Sequence, residues 1–328
     1  MAVMTTTATR DAYGKALVDL GAQNSKVVVV DADLAAATKT GGFKKAYPDR
    51  FFNVGIAEQN LMGVAAGLST MGYTVFASTF AMFAAGRAFE QVRNTIGYPG
   101  LSVNIGATHA GISVGEDGAS HQCCEDIATM RTIPGMTIIN PADFREAYCA
   151  VFAAAAWDGP VYMRFGRLTL PYLFDDSYKI EIGKGVCMRE GRDVTIAATG
   201  LMVHEALIAA GQLANEGIDA EILNIHTIKP LDMELLAASA GKTGAVVTAE
   251  EHSIIGGLGG AVCEALGGIC PVPVLRVGVE DKFGASGPAL EMLHVYGLDA
   301  AHIVEKAKRA IALKQTIPPF GHPSTEGN

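Results

Sequence analysis

One acidic residue lies in an apolar stretch that contains no lysine or arginine. Residues 51–60 read FFNVGIAEQN, and no basic residue occurs between Phe51 and Gly86. A buried carboxylate without a partner is costly, so it is usually protonated or hydrogen-bonded. Glu58 is therefore either a helix-terminal acid, stabilised by the N–H groups of the first turn, or a catalytic acid whose partner lies on another molecule.

A second group of reactive residues lies in the segment THAGISVGEDGASHQ, residues 108–122. Two histidines, two acids and three glycines share this stretch, which we expect to be a structureless loop. Loops of this length inside compact domains are usually functional or disordered. His109 and His121 are too far apart to share a helical face, so no metal site is predicted. Hydrogen bonding to a polyol or carbonyl substrate suits this set of side chains better.

An aromatic pair occupies the segment STFAMF, residues 78–83, where a predicted strand turns into a helix. Phe80 and Phe83 are three residues apart, and most pairs with this spacing belong to a hydrophobic core. A flat heteroaromatic ligand could also stack on them. The spacing alone favours the core.

The elements that position these residues alternate between helical patterns and apolar runs. The predicted strands of the first half are 27–31, 51–54, 74–79, 101–106, 137–140 and 160–165. Continuous apolar strands separated by helices predict an α/β fold with a parallel sheet covered on both faces. Ligands collect at the carboxyl ends of such strands, where Asp31, Asp33, Glu58, His109 and Arg167 all fall.

The chain divides into two predicted α/β domains. We place the first domain at residues 1–175, a polar linker at 176–190 and a smaller domain at 191–313. The Pro- and Gly-rich residues 314–328 are expected to be a loosely ordered tail.

Composition restricts the possible partners and location. The formal charge of −9 and the pI near 5.4 argue against binding to nucleic acid or to an anionic membrane. Six cysteines without a C-x-x-C pair indicate reduced thiols, and the N-terminal residues contain no signal-peptide core. The charge-free residues 61–86 fit a helix, a turn and a buried strand. We therefore expect a cytoplasmic protein.

The motifs GIAEQN, STFAMF, THAGISVGEDGASHQ and GRLTLP together resemble the C-terminal half of transketolase. The resemblance covers essentially the whole chain. It implies a parallel-sheet pyrimidine-binding domain of thiamine diphosphate enzymes, followed by the smaller α/β transketolase C-terminal domain. The implied activity is transfer of a two-carbon ketol unit from a ketose, expected to carry a phosphate, to an aldose.

The resemblance implies a role in cofactor binding for five residues. Glu58 matches the glutamate that hydrogen-bonds N1′ of the cofactor's aminopyrimidine and takes part in catalysis. Phe80 and Phe83 match the aromatic pair that packs on that ring. Asp33 and Leu34, in the motif DADL, match a segment beside the cofactor.

The resemblance also implies a substrate site. His109, Asp117 and His121 match residues that hold the carbonyl and hydroxyl groups of the sugar, and the two histidines are expected to be catalytic. Arg10 and Arg167 match the two arginines that bind the substrate phosphate.

Two departures from the family pattern matter for function. Ala37 stands where the family has a phosphate-contacting serine, and the neighbouring Thr38 is a candidate to compensate. Residues 1–328 contain no match to the family's N-terminal domain, which holds Mg²⁺ and the diphosphate, and GEDG (115–118) is not expected to substitute for it. The chain is therefore expected to provide half of a cofactor site. A separate N-terminal subunit would supply the rest and the Mg²⁺ ligands, by analogy in a heterotetramer.

Three other readings stay open at this point. The β subunit of a 2-oxo-acid dehydrogenase has a similar length and domain order, but it lacks the loop of residues 108–122. A fragment related to 1-deoxyxylulose-5-phosphate synthase is a second enzyme alternative. A non-catalytic subunit that retained the fold is the third, and the presence of both loop histidines argues against it.

Overall fold

The computed structural model describes residues 6–316. Its β-strands are β1 (Thr6–Ala8), β2 (Val27–Asp31), β3 (Phe51–Asn53), β4 (Thr74–Phe80), β5 (Val103–Thr108), β6 (Thr137–Ile139), β7 (Val161–Arg164), β8 (Thr169–Pro171), β9 (Val186–Arg189), β10 (Val194–Ala198), β11 (Ala220–Asn224), β12 (Thr227–Lys229), β13 (Val246–Ser253) and β14 (Val274–Val279). Its α-helices are α1 (Thr9–Gln23), α2 (Gly41–Ala46), α3 (Glu58–Thr70), α4 (Phe89–Gln91), α5 (Asp126–Arg131), α6 (Phe144–Ala155), α7 (Met202–Asn215), α8 (Met233–Thr243), α9 (Leu258–Ile269), α10 (Ala289–Val295) and α11 (Ala300–Thr316).

The first domain is built on a seven-stranded sheet with the order β12-β6-β7-β5-β4-β2-β3. Every pair in it is parallel except β12 with β6, and β2 is buried along its whole length. Apolar side chains of α1 and α6 pack on one face, while those of α3 and α5 pack on the other. The predicted parallel sheet with both faces covered is confirmed.

The second domain has a five-stranded sheet with the order β14-β13-β10-β11-β9. Four of its strands are parallel, and β9 adds an antiparallel edge. Strand β12 follows β11 in sequence, yet it pairs with β6 of the first sheet. The chain thus returns to the first domain after it has begun the second.

The charge-free residues 61–86 fold as predicted into the rest of α3, a turn and the buried strand β4. Within residues 6–316, no helix combines the length and apolar character needed to cross a membrane. Helix α11 continues to Thr316, so the first residues of the predicted loose tail are helical. The rest of that tail, 317–328, lies outside the described residues.

A buried charged network joins the two domains. The Arg164 Nε donates to both carboxylate oxygens of Asp126, at 3.2 and 2.9 Å. Its Nη2 donates to the backbone carbonyls of Cys123 and Glu251. The Glu251 carboxylate in turn accepts from the Ser113 N–H at 2.6 Å, which ties the second domain to the loop of residues 108–122. Burial lowers the pKa of Arg164, whereas the carboxylates of Asp126 and Glu251 raise it. The net effect is a raised pKa.

Glu146 is a second buried link, between α6, the linker and β11. Its carboxylate accepts from the Tyr178 hydroxyl at 2.6 Å, from the Asn224 amide at 2.9 Å and from the Ala142 N–H at 2.7 Å. Burial raises the pKa of Glu146 to about 7, although these hydrogen bonds oppose the rise.

Glu146 should make stability depend on pH. Its folded pKa, about 7, exceeds the usual value of 4.5, so the folded state binds more protons between these values. The stabilisation is fully present below pH 4.5 and is lost as the pH rises through 7. The loss should be on the order of 3 kcal/mol, at 1.36 kcal/mol per pKa unit. Urea unfolding from pH 5 to 8 measures it, and Glu146→Gln should remove this component. If the free energy of unfolding changed with pH in the same way in the wild type and in Glu146→Gln, this pH dependence would not come from Glu146.

Candidate functional site

The residues singled out in the first domain meet at one edge of its sheet. Strands β7, β5, β4, β2 and β3 are consecutive neighbours and run parallel, so their carboxyl ends lie side by side. The segments that follow them carry the candidate residues. They are Arg167 after β7, His109 after β5, Phe83 after β4, Asp33 after β2 and Glu58 after β3.

Glu58 is the first residue of α3 and is buried, with 2% of its surface exposed. Its Oε2 makes no hydrogen bond within residues 6–316. The Arg87 Nη1 lies 3.5 Å from this oxygen, so a cation does approach the carboxylate. The interval without basic residues suggested that no cation would lie near Glu58. Arg87 comes directly after that interval and reaches back to the carboxylate from a π-helical turn, Phe83–Arg87.

The aromatic pair, Phe80 and Phe83, lies on segments that contact the helix of Glu58. The rings of Phe80 and Phe83 are stacked, with centroids 6.0 Å apart and planes 15° apart. Phe80 is buried and stacks on His109 at 3.9 Å, whereas Phe83 is partly exposed and meets the edge of His121 at 5.5 Å. Phe80 is thus largely covered by its neighbours, and Phe83 offers more surface to a ligand. A contact of either ring with a cofactor stays a prediction.

His109 is buried and has a left-handed backbone, with φ of 57°. Its Nε2 lies 2.9 Å from the Arg10 Nη1, and its Nδ1 lies 3.0 Å from the Thr108 hydroxyl. Burial, together with Arg10 and Arg167, lowers the His109 pKa to about 3. Because a guanidinium only donates, Nε2 must accept, and the neutral ring carries its proton on Nδ1. Hydrogen bonds at both ring nitrogens therefore hold His109 in one orientation.

The loop of residues 108–122 is ordered, contrary to the expectation of a structureless segment. It forms 3-10 turns over Ile112–Asp117, and the Gln122 amide donates to the carbonyls of Ile112, Gly115 and Ala285. Gly111 has φ of 83°, and a Cβ there would lie 2.2 Å from Cδ of Glu251. Only glycine allows the buried network to approach this closely.

Arg10 and Arg167 both contact the loop of residues 108–122. Arg167 donates to the Val114 carbonyl at 2.8 Å and lies 3.6 Å from the carboxylates of Glu116 and Asp117. Arg10, on α1, donates to the carbonyl of Ala37 at 3.3 Å. Strand β8 pairs with β1, which brings both arginines to the same end of the sheet.

The segment after β2 is organised around Asp31, for which the sequence analysis predicted only a position at the end of a strand. Asp31 is fully buried and accepts from the Leu34 N–H and from the hydroxyls of Thr38 and Thr40. Burial raises the Asp31 pKa. The Thr38 hydroxyl is buried and already bonded, so it does not replace the hydroxyl missing at residue 37. Asp33 is exposed, has φ of 64° and accepts from Asn53.

A cleft of about 590 Å³ opens between the two domains, beside Phe83 and Arg87. Its first-domain wall includes Phe83, Arg87 and Ser120, and its second-domain wall includes Asp281 and Phe283. The Phe283 side chain is 89% exposed. The cleft brings an aromatic ring and a cation to the same edge of the site as the buried Glu58 carboxylate.

The fold and the site define a two-domain α/β protein with a polar site at the sheet's carboxyl edge. Residues 5–171 match the pyrimidine-binding domain of transketolase, and residues 183–303 match the transketolase C-terminal domain. The chain belongs to the transketolase family.

Relatives and solved structures of similar length agree with this assignment. A putative transketolase C-terminal section of Methanocaldococcus jannaschii is 50% identical over 300 residues, covering 90% of this chain and 94% of the relative. A 6-deoxy-6-sulfo-D-fructose transketolase subunit of a Clostridium species is 45% identical over 298 residues, covering 91% and 92%. A solved structure described as a split gene transketolase, inactive beta4 tetramer, has a TM-score of 0.88 and 56% identity, covering 94% of this chain and 99% of that one.

Proposed function

We propose that this chain is the C-terminal subunit of a two-chain, thiamine diphosphate-dependent transketolase. The enzyme transfers a two-carbon ketol unit from a ketose to an aldose. The observation that carries the proposal is the Glu58 carboxylate, which is buried at the site edge with Oε2 lacking a hydrogen bond in the described residues. Such an oxygen is costly unless a ligand completes its bonding.

The residues present fit the pyrimidine end of thiamine diphosphate. Glu58 offers a carboxyl group to a ring nitrogen, and the partly exposed Phe83 offers an aromatic surface. Asp33 and Leu34 lie on the neighbouring segment after β2. When bound, the cofactor supplies the electron sink for cleaving a carbon–carbon bond next to a carbonyl. The diphosphate and Mg²⁺ are expected to be held by the partner subunit.

The substrate-facing side chains form two groups. His109, Asp117 and His121 lie on the loop and hold carbonyl and hydroxyl groups of the sugar, and His109 does so next to Arg10, to which it is hydrogen-bonded. Neutral His109 accepts from Arg10, which fixes its ring orientation. Arg10 and Arg167 bind the anionic end of the sugar, where charge-assisted hydrogen bonds are strong. The relatives' names include a sulfonated sugar and a sugar phosphate, which supports an anionic tail.

A partner chain is part of the proposal. The M. jannaschii relative is named as a section of transketolase, and the similar solved tetramer of β chains is described as inactive. Both descriptions support an enzyme that works only when a separate N-terminal subunit joins this one. We infer a heterotetramer as the active form.

Mixing the purified chain with the N-terminal transketolase subunit of the same organism tests the proposal. With thiamine diphosphate and Mg²⁺, the mixture should transfer a ketol unit from xylulose 5-phosphate to ribose 5-phosphate, whereas neither chain alone should do so. Calorimetric titration of this chain alone with the cofactor should show binding weaker than micromolar. Turnover by this chain alone would overturn the two-chain assignment. Decarboxylation of pyruvate without ketol transfer would favour the 2-oxo-acid dehydrogenase alternative.

A further inference from the structure

We propose that Lys39 is a third cation of the pocket for the anionic end of the sugar. It would stand in for the hydroxyl that is missing at Ala37. The inference rests on the proposed function, which it extends to a residue outside the arginine pair. Its ligand is a phosphate or sulfonate group on the substrate.

Backbone strain first points to Lys39. Among residues 6–316, the non-glycine residues with positive φ are Asp33, Lys39, His109 and Asp281. Asp33 and His109 belong to the candidate site, and Asp281 lines the adjoining cleft. Strained backbone of this kind persists where the surroundings enforce it, and it clusters at functional sites. Lys39, with φ of 67°, is the member of this set without an assigned role.

The surroundings of Lys39 enforce its conformation from two sides. The hydroxyls of the flanking Thr38 and Thr40 both donate to the buried Asp31 Oδ2, at 2.8 and 2.9 Å. On the other side α1 packs so closely that a Cβ on Gly14 would lie 2.5 Å from the Lys39 carbonyl oxygen. The backbone of Lys39 is thus packed directly on the helix that also carries Arg10.

Hydrogen bonds place the segment of Lys39 next to Arg10. The Arg10 guanidinium donates to the carbonyl of Ala37, two residues before Lys39, and the Lys39 ammonium lies 3.0 Å from Asp11, the residue after Arg10. Arg10 in turn bonds to His109, and Arg10, Arg167 and Lys39 all act to lower the pKa of that imidazole. An anionic group bound there would gain attraction from each of them.

The Lys39 ammonium is available to a ligand despite its ion pair. It lies 3.0 Å from the Asp11 carboxylate, and the two side chains are 36% and 35% exposed. Ion pairs at this exposure contribute little free energy. A phosphate can therefore compete with Asp11, whereas the buried hydroxyl of Thr38 stays bonded to Asp31.

The test compares three variants in complex with the N-terminal subunit. For each, KM is measured with xylulose 5-phosphate, with a sulfonated ketose and with unphosphorylated xylulose. Lys39→Met should raise KM for an anionic sugar about 10-fold relative to xylulose, the scale of one charge-assisted hydrogen bond. Asp11→Asn breaks the same ion pair but keeps the cation. It should therefore leave the ratio of KM for the anionic sugar to KM for xylulose unchanged, or lower it. Lys15→Met, which removes a lysine of α1 that is also paired with an aspartate, should match the wild type.

The outcomes separate this inference from the proposed function. A shift of the same sign in Lys39→Met and Asp11→Asn would mean that the ion pair is only structural, and it would overturn the role of Lys39. If Lys39→Met left the ratio of KM for the anionic sugar to KM for xylulose unchanged, the role of Lys39 would also be overturned, although the proposed ketol transfer would stand. Absence of ketol transfer by the wild-type complex would instead overturn the proposed function. Calorimetric binding of inorganic phosphate, weaker in the Lys39→Met complex than in the wild-type complex, would support the site without reference to the sugar.

Discussion

Replacing Glu58 by Gln should almost abolish ketol transfer by the assembled enzyme while the fold stays intact. Gln keeps the size of the side chain and its hydrogen-bonding capacity, but it cannot give and take a proton. Losing a positioned acid–base group typically costs about 10²- to 10⁴-fold in rate. Transfer from xylulose 5-phosphate measures the loss. Exchange of the C2 proton of bound cofactor, followed by NMR after acid quench, provides a readout that does not need the sugar.

The control for Glu58 is a glutamate with the same chemistry outside the site. Glu90 lies on α4, is exposed and accepts hydrogen bonds from Gln91 and Asn94. Glu90→Gln should retain wild-type rates, and both variants should unfold at a similar temperature. C2 proton exchange at the wild-type rate in Glu58→Gln would reduce Glu58 to a helix-terminal acid, the first of its two interpretations.

Much of the sheet could be predicted from the sequence because local composition determines it. The run 27–31 is β-branched and apolar, and it forms β2 with the predicted boundaries. Helix α3 begins at Glu58, a few residues after β3, where the apolar periodicity of a helix begins. The candidate residues then meet without further information, since parallel strands bring their carboxyl ends to one edge.

The contacts that give the site its chemistry could not be predicted in the same way. Arg10 bonds to His109 across 99 residues, and Gln122 bonds to Ala285 across 163. No local pattern encodes pairings at such separations. Strand β12 has three residues, too few for a periodic signal, so its pairing with the first sheet was missed. The sequence contained one weak indication of the contact between Arg87 and Glu58, the position of Arg87 immediately after the charge-free interval.

Removing Arg164 should destabilise the chain by about 3–5 kcal/mol, the usual cost of breaking a buried ion pair. Arg164 is 3% exposed and Asp126 fully buried, so Arg164→Met would leave a carboxylate with no cation within hydrogen-bonding distance among the described residues. Two carbonyls, of Cys123 and Glu251, would also lose their donor. Urea unfolding measures the change. Arg192→Met, which breaks an ion pair whose arginine is 82% exposed, should cost less than 1 kcal/mol.

A second substitution distinguishes the charge from the packing at this position. In Arg164→Met/Asp126→Leu the uncompensated carboxylate is gone, so a substantial part of the lost stability should return. The Tyr162 hydroxyl, which donates to Asp126, would then lack its acceptor, so recovery should be incomplete. An equal loss in the single and double variants would show that the hydrogen bonds to the carbonyls, rather than the ion pair, stabilise the domain junction. Because one of those carbonyls belongs to Glu251, whose carboxylate holds Ser113, either result reports on what keeps the loop of residues 108–122 in place.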